Sequence, residues 1–405
     1  MNVTQTRCPV HSIDHHSAEF AERRHDIFAE LRRDAPIAMS DCYGGFYIAA
    51  SYKLGRHILR DDEHFSVSRF EDGTGGLLIP AVMKSPKLRP GELDGAEHLA
   101  YRKALHDRFK PTTVKMLQPF VQRIVDETLD AVISKRQFDA MHDLAAVIPA
   151  RVVLEYLGVP RESQVSVLEG LALGFRAAPD TAEATDDTDQ FRAVWRDLLE
   201  VIAEKRRSPG DDVMSTLVRS DLNLTDEQLL SVVMNVALGG TVTTTSWMSY
   251  AMMFLEQHRD LRARLIENPD DVAPFGEELL RWFSPASSLA RNVIQDTEVG
   301  DVPLKQGDRV YVAITSLNRD DDVFEDAGTF DIDCERKQHM AFGVGAHFCL
   351  GVHLARLEFR IFIQSLLTRL PDYSIDVVRS EHNQSAGVTP RWLKLPASTN
   401  LGESP

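Results

Sequence analysis

Cysteine is scarce in this chain. Its 405 residues hold four, Cys8, Cys42, Cys334 and Cys349. None stands in a CxxC pair, so the spacing supports neither a disulfide framework nor a zinc site. A reduced, cytoplasmic protein is the reading that follows. Positive charge is also in deficit: 45 Lys and Arg face 61 Asp and Glu, for a formal net charge of −16. That balance works against a nucleic-acid partner or an anionic membrane. The N-terminal "MNVTQTRCPVHSIDHH" lacks the apolar core of a secretory signal. Internal repeats and low-complexity linkers are missing too. One uncharged run, Leu229 to Leu255, is long enough to span a bilayer. It carries eight Ser, Thr and Asn residues, among them Ser231, Asn235 and Thr241. It also follows Thr225-Asp226-Glu227-Gln228, a capping box that opens soluble helices. A helix buried through the middle of a large domain is expected there.

Apolar residues make up 43% of the chain, enough for a large core. Helical periodicity dominates. Residues 18–34 read as an amphipathic helix stopped before Pro36, 44–51 as a strand and 52–60 as a second helix. From 73 to 93 the pattern dissolves into Gly, Pro and apolar residues, a long loop of the kind that often carries function. Helices resume over about 98–108, 112–134 and 140–157. Residues 177–190 are polar, acidic and expected to be mobile, and a helix follows to about Lys205. The capped segment then runs to about Gln257, roughly 50 Å at 1.5 Å per residue. "DRVYVAIT" (308–315) is a late strand. The expectation is one mainly α domain with a small β portion over residues 1–405, with loose ends at 1–17 and 397–405.

The most specific motif is Phe342-Gly343-Val344-Gly345-Ala346-His347-Phe348-Cys349-Leu350-Gly351. Its glycines allow tight turns and close approach to a flat ligand. The apolar-periodic "LGVHLARLEFRIFIQSLLTRL" that follows stops at Pro371. Cys349 therefore stands just before a helix N-terminus, where amide N–H groups and the helix dipole favour a thiolate. Most lone cysteines are small core residues; a cysteine in a glycine-built loop at a helix start does not fit that description.

This segment resembles the FGxGxHxCxG heme-binding signature of the cytochrome P450 family at every defined position, and "HLARLE" continues it. The resemblance spans roughly residues 20–395. It implies the cytochrome P450 fold, with heme b (iron protoporphyrin IX) between the long central helix and the cysteine loop. It implies that Cys349 is the iron ligand, a thiolate whose electron donation favours O–O cleavage. Phe342 would pack beside the heme, Gly351 would close the loop, and His347 would hydrogen-bond a propionate. Arg291, His98 and Arg102 fall at the family's spacing for propionate partners, the last two on one helix face. Cationic donors are needed because heme brings two carboxylates into the interior. Glu278 and Arg281, in "EELLRWFSP", resemble the family's ExxR pair. The usual third member, an arginine, is Cys334 here, so either Arg336 substitutes or the pair is held otherwise.

"GGTVTTT" (239–245) is poor helix material, with two glycines at roughly 1 kcal/mol each and β-branched threonines. The resemblance makes it the distal heme wall. Gly239 and Gly240 would leave room for dioxygen and substrate. Thr243, or a water it holds, would help deliver protons to dioxygen, while back-bonding the carbonyl four residues earlier. The family's acid is replaced by Val242. Three readings stay open. Protons arrive through waters held by Thr241, Thr243, Thr244 and Thr245; they come from a hydroxyl or amine of the substrate; or the chemistry departs from ordinary hydroxylation.

Substrate is expected between the central helix, the 73–93 loop and Ser287–Ala290. Wall positions are Leu78, Ile79, Phe175, Val236, Gly239, Ser288, Leu289 and Val388. Such a pocket suits a terpenoid, steroid, aromatic or natural-product intermediate. The chain has no flavin- or NAD-binding GxGxxG and no ferredoxin cysteine cluster. Electrons would come from a ferredoxin-type donor with its NAD(P)H reductase. Lys103, Arg108, Lys110, Arg356 and Arg360 would form a basic patch for it. The expected activity is monooxygenation of an apolar small molecule by a monomer. Two alternatives remain: a heme-thiolate enzyme of atypical outcome (nitration, isomerisation or peroxide-driven oxidation), prompted by Val242, and a non-catalytic heme-binding sensor.

Overall fold

The computed structural model describes residues 8–70, 73–80, 87–164, 167, 189–335, 338–383 and 389–399. Its axis is the central helix, Asp226–Gln257. The capping box forms as expected. The Gln228 amide donates to Thr225 Oγ1 at 3.2 Å, and the Thr225 amide donates to Gln228 Oε1 at 2.9 Å. These bonds satisfy two donors that a helix start leaves unpaired. The helix is long and apolar enough to cross a membrane by length and composition, and most of its apolar window is buried inside the protein. Helices Val147–Leu157, Val272–Phe283 and Val352–Arg369 pack around it in the main hydrophobic cluster.

The β portion is a six-stranded sheet to one side. Its strand order is Val10–His11, Ile37–Ser40, Phe46–Ala49, Arg309–Val312, Leu289–Val293 and Phe65–Ser66. Strands Phe46–Ala49 and Arg309–Val312 lie inside the two expected strand segments, and their alternate residues feed two smaller cores.

Several boundaries differ from the sequence reading. Residues 112–134 form two helices, Pro111–Met116 and Gln118–Ile133. Pro119 has no N–H to give the carbonyl four residues back, so the chain restarts with proline in a first turn. The 140–157 segment opens with a π-helical stretch, Ala140–Ala145, before Val147–Leu157; Pro149 imposes the same loss there. The 98–108 helix begins a turn earlier, at Gly95.

The ends are less loose than expected. Val10 and His11 pair with Met39 and Ser40, and His15 is buried. Pro396–Ser398 lies between Gln137–Asp139 and Ser374–Ile375. Backbone pairing fixes segments too short to show a period of their own. Residues 177–188 of the acidic stretch, with Phe175, Arg336 and Val388, lie outside the described residues.

Candidate active site

The cysteine loop is built on left-handed glycines. Gly343 and Gly345 have φ of 68° and 80°. A Cβ on Gly345 would also sit 2.7 Å from the Leu59 carbonyl oxygen, so glycine is required twice over. The Cys349 amide donates to the Phe342 carbonyl at 2.9 Å, closing the loop. Helix Val352–Arg369 starts just beyond. Burial pushes the Cys349 thiol up; the Gly351 amide, Arg102 and Arg356 pull against it without prevailing. The helix start alone therefore does not make a thiolate. A metal cation at the sulfur would, because coordination deprotonates a thiol outright. A Cβ on Gly351 would touch nothing within 4 Å, so this glycine borders open space.

Beside the loop lies a polar cluster. The His98 and His347 rings stack with centroids 4.1 Å apart. His347 Nε2 lies 3.3 Å from Asp94 Oδ1, so its carboxylate partner here is Asp94, which the sequence reading missed. The signal for it was an Asp directly before a helix start. Burial would raise the Asp94 carboxyl, but hydrogen bonds from His347, Ser66 and the amide of Val67 hold it far below the usual range. Burial lowers His98 to about 4, helped by His347 and Arg102, so at neutral pH it donates N–H without charge.

Arg291 is 3% exposed, and its one hydrogen bond to a described residue goes from Nη1 to the Ala290 carbonyl at 2.9 Å. Burial lowers its pKa to about 10, with Asp94 and Asp62 opposing. Among the described residues no carboxylate lies within ion-pair distance of Arg291 or of half-buried Arg102. A buried guanidinium without a counter-ion is costly. Buried Arg291 and half-buried Arg102 beside a glycine-built cysteine loop fit a flat ligand with two carboxylates.

Glu278 and Arg281 form the expected pair, bidentate at 2.8 and 2.6 Å and nearly fully buried. What completes it is backbone. Arg281 donates to the carbonyls of Asn318, Ala327 and Thr329, and Glu278 accepts from the Asp331 amide at 3.1 Å. Cys334 lines an adjacent cavity of about 280 Å³ with Glu277, Arg281 and Arg356. A second cation went unforeseen: Arg319 stacks on Trp282 at 3.7 Å and donates twice to its carbonyl. Burial lowers Arg319 to about 9, and neighbouring Arg281 adds to the shift.

On the central helix the two glycines separate in role. Gly239 is exposed within a mostly buried helix, and a Cβ there would meet nothing within 4 Å. It opens a space. A Cβ on Gly240 would instead lie 2.9 Å from Val153 Cγ2. Gly240 is thus a helix-contact glycine, and the room expected from the pair is left at Gly239. Thr243 Oγ1 donates to the Gly239 carbonyl at 3.1 Å, the expected back-bond. Val242 is 9% exposed and Thr244 is buried. The hydroxyls of Thr241 and Thr245 are buried without partners. At about 100° per residue they face away from Thr243, which argues against a single file of threonine hydroxyls carrying protons.

Two wall residues turn away from that space. Ile79 is buried in the N-terminal core with Phe20, Phe28 and Tyr311. Its carbonyl meets His15 Nε2 at 2.7 Å and His16 Nε2 at 2.9 Å. Ser288 is buried and hydrogen-bonds Tyr311. Leu78, Val236 and Leu289 are only partly buried. Arg309 holds the Gly76 and Leu78 carbonyls at 2.9 Å each, so this part of the loop is anchored.

The basic patch is thinner than its sequence. Arg356 is spent on Glu277 through two 2.7 Å bonds and lies over the Phe342 ring at 4.9 Å. Arg108 pairs with Asp211 and Lys110 with Asp107. Lys103, Lys115 and Arg360 are exposed and make no ion pair among the described residues.

A thiol loop, a buried ExxR pair and a buried guanidinium that pairs with no described carboxylate, in a mainly helical protein, define a heme-thiolate class. A family model described as Cytochrome P450 matches residues 186–371. The chain is 35% identical over 369 residues to nocardicin C N-oxygenase of Nocardia uniformis subsp. tsuyamanensis, covering 87% of this chain and 89% of that protein. It is 32% identical over 353 residues to steroid C26-monooxygenase of Mycolicibacterium smegmatis, covering 86% and 85%. Its fold matches P450BioI, solved with acyl carrier protein bearing hexadec-9Z-enoic acid, at a TM-score of 0.84 and 26% identity over 95% of this chain and 99% of that one. The chain belongs to the cytochrome P450 family. It is an oxygenase, and its cofactor is heme.

Proposed function

We propose that this enzyme inserts one oxygen atom from dioxygen into an apolar small molecule, drawing electrons from a ferredoxin-type donor and its NAD(P)H reductase. It would act in the cytoplasm as a monomer, residues 1–405 forming one domain. The observation that carries the site assignment is the Cys349 loop beside two guanidinium groups with which no carboxylate among the described residues forms an ion pair. Heme, when bound, supplies the iron at which dioxygen is activated. Cys349 is its protein ligand, and the Gly351 amide donates to the sulfur. Arg291 and Arg102 would neutralise the propionates, and neutral His98 and the His347 ring would stand beside them. Phe342 packs along the ring. Glu278 and Arg281 hold the scaffold. Gly239 leaves space on the distal side, and Thr243 keeps a hydroxyl at its edge. Val236, Leu78 and Leu289 give that space apolar walls, consistent with a steroid- or lipid-sized substrate such as those in the relatives' names. Lys103, Lys115 and Arg360 remain for docking an acidic donor, which their charge would steer.

The reduced protein under carbon monoxide should absorb at the red-shifted position typical of thiolate-ligated heme, and Cys349→Ser should lose it. Persistence of that band in Cys349→Ser would overturn the ligand assignment. A second reading, an atypical outcome, is favoured by one observation. Position 242 is a buried valine that can carry no proton. Analysis of products from substrates with and without an O–H or N–H group separates the two readings.

A further inference from the structure

We infer that Asn235 is a specificity-determining residue: its carboxamide anchors a neutral hydrogen-bonding group of the substrate, such as a carbonyl, hydroxyl or amide, well away from the oxidised carbon. The inference rests on the proposed distal site and adds a polar requirement to it. Asn235 lies four residues before Gly239 and eight before Thr243. Side chains at that spacing share a helix face. Gly239 is where this face opens into space, so Asn235 stands one turn up the same wall.

The carboxamide is placed by contact with the loop opposite. A Cβ on Gly91 would lie 3.0 Å from Asn235 Nδ2 and 3.1 Å from its Oδ1, so the absence of a side chain at Gly91 makes room for the amide. Ser231, one further turn up, ties the same loop down. Its hydroxyl accepts from the Arg89 amide at 2.9 Å and donates to the Lys87 carbonyl. Asn235 does nothing comparable. It is half-buried, and its amide makes no hydrogen bond to any described residue. Leucine would be a better helix former, and no described residue takes up the two donors and the acceptor that the carboxamide offers. A polar group left open to bonding on a cavity-facing stripe is suited to a ligand.

Helix geometry sets the span. Gly239 is about 6 Å and Thr243 about 12 Å along the axis from Asn235. The substrate should therefore carry its polar group at roughly that range from the carbon being oxidised. A small molecule lacking such a group would bind without register.

The test uses the heme-loaded protein and two probe series of increasing chain length, 1-alkylimidazoles and the matching ω-(imidazol-1-yl)alkanamides. The imidazole fixes one end at the iron, and the Soret shift reports binding. In the native protein one chain length of amide should bind about 3- to 10-fold more tightly than its alkyl counterpart, the worth of one hydrogen bond. Asn235→Leu should abolish that preference through a loss confined to the amide series. Gly91→Ala, whose methyl would displace the amide, should weaken the preference in the same sense. A native protein without any amide preference, or an Asn235→Leu protein weakened equally toward both series, would overturn the inference. Failure to bind plain imidazole, or a carbon monoxide spectrum without the thiolate band, would count against the heme-thiolate site itself and so is distinguishable.

Discussion

Two adjacent glycines should respond in opposite ways to the same methyl group. In Gly240→Ala the new Cβ lies 2.9 Å from Val153 Cγ2 and 3.2 Å from Val153 Cβ. Ordinary carbon contacts sit near 3.5–4.0 Å. Val153 is 2% exposed and β-branched, so it has little freedom to turn aside. Overpacking of this kind costs about 1–3 kcal/mol, offset by about 1 kcal/mol from better helix propensity. In Gly239→Ala only the propensity term applies, because nothing lies within 4 Å. That variant should gain about 1 kcal/mol, and the two should differ by about 1–3 kcal/mol. At ~2.1 cal/mol/K per residue the unfolding entropy of a chain this long is about 0.85 kcal/mol per degree. Parallel thermal scans followed by circular dichroism should then separate the variants by about 1–4 °C, with Gly239→Ala the higher. Activity should run the other way, since the methyl of Gly239→Ala occupies the space beside Thr243 while Gly240→Ala leaves it alone. Gly239→Ala melting at or below Gly240→Ala would refute the division of roles.

Cys334→Ser should leave the urea midpoint nearly unchanged, because Glu278 and Arg281 are completed by the Asp331 amide and three carbonyls. Glu278→Gln should cost about 3–5 kcal/mol, since it strands a buried guanidinium; equal effects would show that Cys334 holds the pair. Burial, with the neighbouring His16, depresses His15 in the folded state to about 3 from 6.5. Below pH 6.5 the unfolded chain takes up a proton that the folded chain refuses. The stability contributed by neutral His15 is therefore lost as pH falls from about 6.5 toward 3. His15→Gln keeps a donor near the Ile79 carbonyl without titrating, so its urea midpoint should fall less between pH 7 and pH 5 than the native one; parallel curves would exclude a role for His15. Val242→Asp places a carboxyl where burial raises its pKa, so that it holds a proton near neutrality. With a substrate lacking O–H and N–H groups it should raise the product formed per NADH, and an unchanged or lower yield would show that the valine belongs to the mechanism.

Side-chain patterns with a fixed period or spacing were legible in the sequence; partnerships with backbone were not. The capping box at Thr225 and Gln228 could be read because both partners are side chains at a set interval. The cysteine loop could be read because left-handed turns admit few residues besides glycine. Nothing in the sequence told Gly239 from Gly240. Neighbours on a helix point about 100° apart, and which direction meets Val153 depends on a helix some ninety residues earlier. The partners of Arg281 were hidden for a different reason: carbonyls of Asn318, Ala327 and Thr329 exist at every residue and leave no mark. Ile79 was misplaced for want of a period, since a loop has no alternation to say which side chain faces a core.

Two buried guanidiniums show how a structure can mark a ligand site. Arg281 is 6% exposed and makes five hydrogen bonds, two to a carboxylate and three to carbonyls. Arg291 is buried as deeply, at 3%, and makes one to a described residue. Both pay the same desolvation, and only one recovers it within the protein. The chain could have satisfied Arg291 with Asp94, whose charge already acts on it. Instead Asp94 is committed to His347, Ser66 and the amides of Val67 and Ser68. An acid tied down within electrostatic reach of an unmatched cation leaves that cation for an outside carboxylate. This is the same logic by which Asn235, unmet beside Gly91, points to a polar group on the substrate. Both groups hold hydrogen-bonding capacity that no described residue takes up, and each indicates the chemistry of what would take it up.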